Sequence, residues 1–216
     1  VGGESTSPDA QPTPTDEELQ RVVPVVKRLA AEVSLPISID TYKSEVARAA
    51  LDAGACMIND VWGLKRDPRL AELAAKRGVP IVLTSNQRGD NPSDIIAAIN
   101  SGLRRSMDTA LEEGVPRHNI ILDPGVGFGK TLEQNLEVIR RLSELSVLGQ
   151  PILLGTSRKS IIGLVLNLPP DQRLEGTAAT VAIGIANGAD IVRVHDVLPM
   201  VRVSRMSDAV VRKRCP

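Results

Sequence analysis

Five apolar runs in this chain each stop at a cluster of polar or charged side chains: residues 36–43 (PISIDTYK), 56–63 (CMINDVWG), 120–130 (IILDPGVGFGK), 151–160 (PILLGTSRKS) and 190–197 (DIVRVHDV). Short apolar runs closed by turn residues predict buried strands with their chemistry at one end. The segments between them repeat with helical spacing. Leu19, Val22, Val23, Val26, Leu29 and Ala30 mark one face of a helix over 15–33, opened by Thr15 and Glu18 in the form of a capping box. Strand 36–40 precedes helix 44–53, which Gly54 closes. Strand 56–59 leads to a helix begun by Asp67-Pro68 and ended near Gly78, and strand 80–84 leads to helix 93–113. Strand 119–123 precedes helix 131–145, with Thr131 and Gln134 spaced as a second capping box. Strand 151–154, a short helix over 159–166, a helix over 173–187, strand 190–194 and a last helix over 198–211 complete the pattern.

Strands alternating with helices imply a parallel sheet covered by helices, an α/β fold. Val1-Gly-Gly-Glu4 reads as the end of a further strand, which brings the count to seven β/α units. An eight-stranded barrel takes about 250 residues. The expectation is therefore a (β/α)8 barrel over 1–216, a single domain missing its first strand and helix. An open doubly wound sheet would gather its ligands at one switch point and not at five strand ends, so the barrel is preferred.

Composition adds exclusions. The 26 basic and 26 acidic side chains cancel and are interleaved, which argues against nucleic acid or an anionic membrane as partner. No run approaches the roughly 18 apolar residues of a membrane span. Cys56, placed inside an apolar strand, and Cys215 make neither a metal-ligand spacing nor a disulfide framework, and the expected compartment is the cytoplasm. The chain's one Tyr (Tyr42), one Trp (Trp62) and one Phe (Phe128) all fall in the strand-end clusters, where a flat ligand would be gripped.

Asp123-Pro-Gly-Val-Gly-Phe-Gly-Lys130 is the strongest local signal. Alternate glycines let a loop approach a ligand closely, and a carboxylate at the strand tip can accept two parallel N–H bonds from a guanidine-like edge. A Walker A loop is excluded because Pro124 stands where its first Gly belongs, and the dinucleotide fingerprint fails because its third glycine comes one residue early. Gly155-Thr-Ser-Arg-Lys-Ser160 puts two cations and three hydroxyls where a strand meets a helix, suited to a carboxylate or a heterocycle carbonyl. Arg193 and His195 alternate along the last strand, which would aim both at a pyrophosphate. Asp40 and Asn59 end two further strands, where each could simply cap the next helix.

These motifs, with VGGEST (1–6), ISIDTY (37–42), IND (58–60), LDPGVGFGK (122–130), GTSRKS (155–160) and RVHDV (193–197) in order, resemble the dihydropteroate synthase family over essentially the whole chain. The resemblance implies a transferase that condenses 6-hydroxymethyl-7,8-dihydropterin pyrophosphate with p-aminobenzoate, releasing pyrophosphate in folate biosynthesis. It further implies Mg2+ with the diphosphate, no metal ligand in this chain, a cytoplasmic homodimer and a sulfonamide target. By position, Asp40, Asn59, Asp123 and Lys159 would bind the pterin, with Asp40, Lys159 and Asp123 catalytic. Thr6, Arg193 and His195 would hold the pyrophosphate, and Thr6, Pro8, Phe128, Lys159 and Ser160 the p-aminobenzoate. Two departures stand out: Ser7 where the family usually has Arg, and Leu83-Thr-Ser-Asn-Gln87 without the family's Met-His. Two other functions fit parts of the pattern. A methyltetrahydrofolate–corrinoid methyltransferase-like domain would have no use for the SRKS cluster or an Arg/His clamp, and a noncatalytic pterin-binding paralogue would be consistent with Ser7.

Overall fold

The structure, a computed structural model, describes residues 1–6 and 10–212. The elements in order are α1 (Thr15–Glu32), β1 (Ser38–Asp40), α2 (Ser44–Asp52), β2 (Met57–Asp60), α3 (Arg69–Arg77), β3 (Ile81–Thr84), α4 (Ile95–Glu112), β4 (Ile120–Asp123), α5 (Leu132–Arg140), β5 (Leu153–Leu154), α6 (Ser160–Leu166), α7 (Leu174–Ala186), β6 (Ile191–Val192) and α8 (Val197–Val211). None of these helices is long and apolar enough to cross a membrane. Two compact units divide them: residues 1–84 with 103–121, and residues 85–102 with 122–216.

In the first unit β1, β2 and β3 run parallel and pair in that order. Asp40 registers with Asn59, and Asp60 with Leu83, so the polar tips of adjacent strands align. Gly2 makes a parallel bridge to Asp40, as expected for a strand end at Val1-Gly2. Every residue of β3 and β4 is buried, the signature of strands covered on both faces. Ala47 and Ala50 of α2, and Ala71 and Ala74 of α3, are fully buried, because small side chains let a helix backbone approach its neighbours. In the second unit β5 pairs with β6 in parallel, and Leu122 of β4 bridges to Ile152. Val181 and Ile185 of α7 pack with Met200 of α8 as a separate buried cluster.

Four expectations are corrected here. Thr15 and Glu18 do not form a capping box: Pro14 is the N-cap, and Glu18 is buried and accepts from Lys43 Nζ at 2.6 Å. A buried carboxylate needs a cation more than an exposed helix start needs a cap. The helix expected to reach residue 145 ends at Arg140, and a 3-10 segment follows over Leu142–Leu148. Leu142, Leu145 and Leu148 recur every third residue and all are buried, a spacing that stacks on one face only at three residues per turn. Cys56 stands before β2 and is exposed, not inside the strand. Finally, β6 ends at Val192, so Arg193 and His195 lie beyond the strand and the alternation argument does not apply to them.

Candidate active site

In the second unit, β4 delivers Asp123 at the end of an apolar run, with its carboxylate buried. Gly125 N–H donates to Oδ1 at 2.7 Å, and among the described residues nothing donates to Oδ2. Burial pushes the Asp123 carboxyl above the ordinary carboxylate range, while Lys159, the Gly125 N–H, Lys130 and Arg193 pull it back. A buried carboxylate with one open oxygen and three cations near it is an acceptor awaiting a charged or polar edge.

The loop after Asp123 is held by backbone contact. Gly125, at φ +70°, would place a Cβ 2.0 Å from the Ser85 carbonyl oxygen, and Gly129, at φ +68°, would place one 2.2 Å from the Arg88 nitrogen. Only glycine fits either position. Ser85 N–H donates to the Asp123 carbonyl at 2.8 Å and Gln87 N–H to the Phe128 carbonyl at 3.2 Å, so residues 85–88 form the wall beside the loop. Lys130 turns back and donates to the carbonyls of Gly125 at 2.8 Å and Ser85 at 3.0 Å. Asn135 of α5, also buried, accepts from Gly127 N–H at 2.6 Å and donates to the Thr131 carbonyl at 2.7 Å. The capping box of Thr131 and Gln134 forms as expected and fixes the start of α5 beside it.

Lys159, half-buried, donates to the Val126 carbonyl and places Nζ 4.7 Å from the centre of the Phe128 ring. Arg88 stands 5.4 Å from the same ring centre. Ser160 begins α6 and is exposed. Of the other residues in the SRKS cluster, Arg158 is a strut: its guanidinium grips Asp196 at 2.9 and 2.6 Å, and Arg173 donates to its carbonyl at 2.8 Å. Ser157 Oγ receives the His195 N–H at 3.1 Å and lies 2.9 Å from His195 Nδ1, which orients the imidazole even though the strand has ended. Arg193 and His195 are both exposed.

In the first unit, Asp40 and Asn59 sit at the ends of β1 and β2. Neither caps a helix: the N-caps of α2 and α3 are Lys43 and Pro68. Asn59 is buried and makes no side-chain hydrogen bond to any described residue. Tyr42 and Trp62 meet edge to face with ring centres 6.5 Å apart. Asp60, beside Asn59, is fully buried and accepts from Trp62 N–H at 2.8 Å and Leu64 N–H at 2.6 Å. Burial nevertheless pushes its carboxyl up to about 6. Thr6 is exposed; Pro8 and Ser7 lie outside the described residues.

The structure thus brings Asp123, Phe128, Lys159 and Arg193 together with His195 held nearby, and places Asp40 and Asn59 as paired strand tips. Sequence reasoning passed over Asn135 and gave no role of their own to Lys130, Ser157 and the wall of 85–88. An Asn four residues after the helix N-cap was the one usable hint for Asn135; Ser157 reaches His195 and Lys130 reaches the Ser85 carbonyl, partners far away in sequence.

A family profile described as "Pterin binding enzyme" matches residues 1–195. The chain is similar to the dihydropteroate synthase of Bacillus subtilis, 52% identical over 213 residues, covering 99% of this chain and 75% of that protein. Among solved structures it resembles the dihydropteroate synthase from Clostridium difficile crystallised in the presence of pteroic acid. That match has a TM-score of 0.95 and 52% identity, covering 98% of this chain and 81% of that one. The Xanthomonas albilineans dihydropteroate synthase with 4-aminobenzoic acid gives a TM-score of 0.94 at 39% identity, covering 100% of this chain and 79% of that one. With these neighbours the fold class is α/β of the (β/α)8-barrel type. The matched profile, the curated relative and the buried strand-end carboxylate with its cations lead to one conclusion: this chain belongs to the pterin-binding enzyme family.

Proposed function

We propose that this chain is a dihydropteroate synthase, condensing 6-hydroxymethyl-7,8-dihydropterin pyrophosphate with p-aminobenzoate to give dihydropteroate and pyrophosphate. The observation that carries the reading is Asp123, a buried carboxylate with one oxygen open and Lys159, Lys130 and Arg193 acting on it. The aminopyrimidine edge of a pterin offers it the parallel N–H donors of a guanidine. Asp123 binds that edge, and Lys159 assists from the far end of its short reach to the Val126 carbonyl. Asp40 and Asn59 are assigned to the pterin as well, Asp40 offsetting positive charge and Asn59 offering its amide.

In the reaction the bond between the pterin methylene carbon and the diphosphate oxygen breaks, and its electron pair leaves with pyrophosphate. The cation left behind is delocalised over the pterin. The p-aminobenzoate nitrogen then donates its lone pair to form the new C–N bond and gives up a proton to solvent. Fixed charges aimed at the developing cation and at the departing anion lower this barrier without reorganising. Arg193 and His195 hold the departing pyrophosphate, the latter oriented by Ser157. Phe128, Lys159 and Ser160 contact p-aminobenzoate, the ring stacking on Phe128 and the carboxylate meeting Lys159 and Ser160. Thr6 and Pro8 complete the assignments to the two anionic ends.

Mg2+ enters this reading as a companion of the diphosphate substrate. Among the described residues no three His, Cys, Asp or Glu side chains converge to hold a metal, and no step is assigned to it. A cytoplasmic homodimer is the proposed working form. Its support is the exposed apolar set on α8, including Val197, Leu198, Met206 and Val210, and the free thiol of Cys56. The test is pyrophosphate release by the full-length gene product. Release should require both the pterin pyrophosphate and p-aminobenzoate and should yield dihydropteroate; pterin binding without release would leave a binding protein and refute the transferase.

A further inference from the structure

One ammonium in the first unit stitches together three separate pieces of chain. Lys43 Nζ donates to Glu4 Oε2 at 2.7 Å, to Glu18 Oε2 at 2.6 Å and to the Thr13 carbonyl at 2.5 Å. Glu4 Oε2 also accepts the Thr13 N–H at 3.0 Å and the Tyr42 hydroxyl at 3.4 Å. Glu4 and Thr13 are thereby fastened to one point, and Glu4 stands two residues before Thr6 in the chain. The point itself is rigid. Lys43 follows β1 directly, its N–H donates to Thr41 Oγ1 at 3.2 Å, and its carbonyl accepts from Ala47 N–H at 3.0 Å as α2 begins.

The cluster is largely out of water, with 16% of the Lys43 side chain exposed, 14% of Glu4 and 1% of Glu18. Two carboxylates share one ammonium, and Glu18 Oε1 has no partner among the described residues. Burial alone would favour a neutral Lys43, but the bonds to Glu18 and Glu4 prevail and hold its pKa above the ordinary value. Without the ammonium the two carboxylates repel each other and the clamp on Thr13 is lost. A stable fold asks only that Glu18 be paired; it does not ask that the same cation also reach Glu4 and a backbone carbonyl across residues 5–12.

We propose that Lys43 is a positioning residue for the reaction, setting the place of Thr6 by clamping Glu4 and Thr13 to the end of β1. This rests on the assignment of Thr6 to p-aminobenzoate and the pyrophosphate. Fixing Glu4, two residues before Thr6, limits where the Thr6 side chain can go, so the clamp acts on the ligand that Thr6 touches and not on the pterin ring.

The experiment compares Lys43→Met, Lys43→Arg and Glu4→Gln in the full-length gene product, each checked for folding by circular dichroism. Lys43→Met is expected to raise the KM for p-aminobenzoate at least fivefold. Affinity for a dihydropterin lacking the diphosphate, read by calorimetry, should stay within about twofold. Lys43→Arg should recover most of the loss. In a Thr6→Ala background the Lys43→Met effect on KM should largely disappear, because a residue acting through Thr6 has nothing left to position. An unchanged KM in folded Lys43→Met, equal losses for both ligands, or additive effects with Thr6→Ala would overturn the proposal. Should Lys43→Met fail to fold, Glu4→Gln carries the same comparison, with the same outcomes deciding. A wild-type protein without turnover would refute the synthase reading instead; direct p-aminobenzoate binding to wild type and Lys43→Met then decides the role of Lys43 separately.

Discussion

Asp123 shows what burial does to a side chain whose sequence neighbours are all apolar. Ile120, Ile121 and Leu122 bring it to the strand end buried, and its carboxyl is held up by the loss of water and drawn down by Lys159, by Lys130 of its own loop and by Arg193. A charge-assisted bond to such a group contributes about 1.5–3 kcal/mol. Asp123→Asn is therefore expected to weaken a dihydropterin analogue by at least tenfold in calorimetric titration while the unfolding midpoint changes little; equal affinity in a folded variant would remove Asp123 from the site. Arg193→Ala should discriminate differently. It is exposed and beyond β6, so its loss should weaken the pterin pyrophosphate by tenfold or more and leave the pterin without diphosphate nearly untouched. Competition binding with the two ligands reads this directly, and equal losses would contradict the clamp. The residue types at both positions were legible in the sequence; the reason offered for Arg193 and His195 was not the operative one, since Ser157 and not strand alternation orients the imidazole.

At the scale of elements, the loop over 123–130 is defined by what its glycines avoid. Gly125 and Gly78 share nearly the same left-handed φ, +70° and +65°, but a Cβ at Gly78 meets nothing within 4 Å whereas one at Gly125 meets the Ser85 carbonyl at 2.0 Å. Gly78→Ala should cost about 1 kcal/mol, the ordinary penalty of a left-handed alanine. Gly125→Ala should cost at least about 2 kcal/mol more, since backbone must move, and should also lower pterin affinity. Chemical denaturation of the two variants separates the shared strain from the clash, and equal losses would mean that the wall over 85–88 yields freely. The spacing of the glycines was visible in the sequence. Their partner was not, because residues 85–88 precede the loop by a whole helix and carry no pattern of their own. The second capping box, by contrast, was read correctly from four consecutive residues, since both of its bonds are local. The first failed because Glu18 was claimed by Lys43, distant in sequence and close in space.

For the whole molecule, stability carries the mark of Asp60. Its carboxyl is raised from an ordinary 3.8 to about 6, so the native state holds the proton more tightly than the unfolded chain does. The stabilising contribution is complete below pH 3.8 and is lost as the pH rises through about 6. The difference amounts to roughly 2–3 kcal/mol at about 1.4 kcal/mol per pH unit. Measured against Asp60→Asn, the wild-type unfolding free energy should fall between pH 4 and pH 6.5 by about that amount and then run parallel to the variant. Parallel curves throughout would place Asp60 at an ordinary carboxylate pKa and remove the burial argument.

The order of strands and helices, the parallel pairing, the strand-end location of Asp40, Asn59 and Asp123 and the family itself all followed from the sequence, because each depends on short-range periodicity or on motifs read in a row. Other features were decided only in three dimensions: the 3-10 segment over Leu142–Leu148, the wall of 85–88, the Asn135 brace, the Arg158 strut and the Lys43 clamp. Each of these is a contest over a burial site or a buried hydrogen-bonding group, and such contests are settled by whichever partner the folded chain brings within about 3 Å. Sequence spacing determines which groups are available; distance in the folded state determines which of them meet.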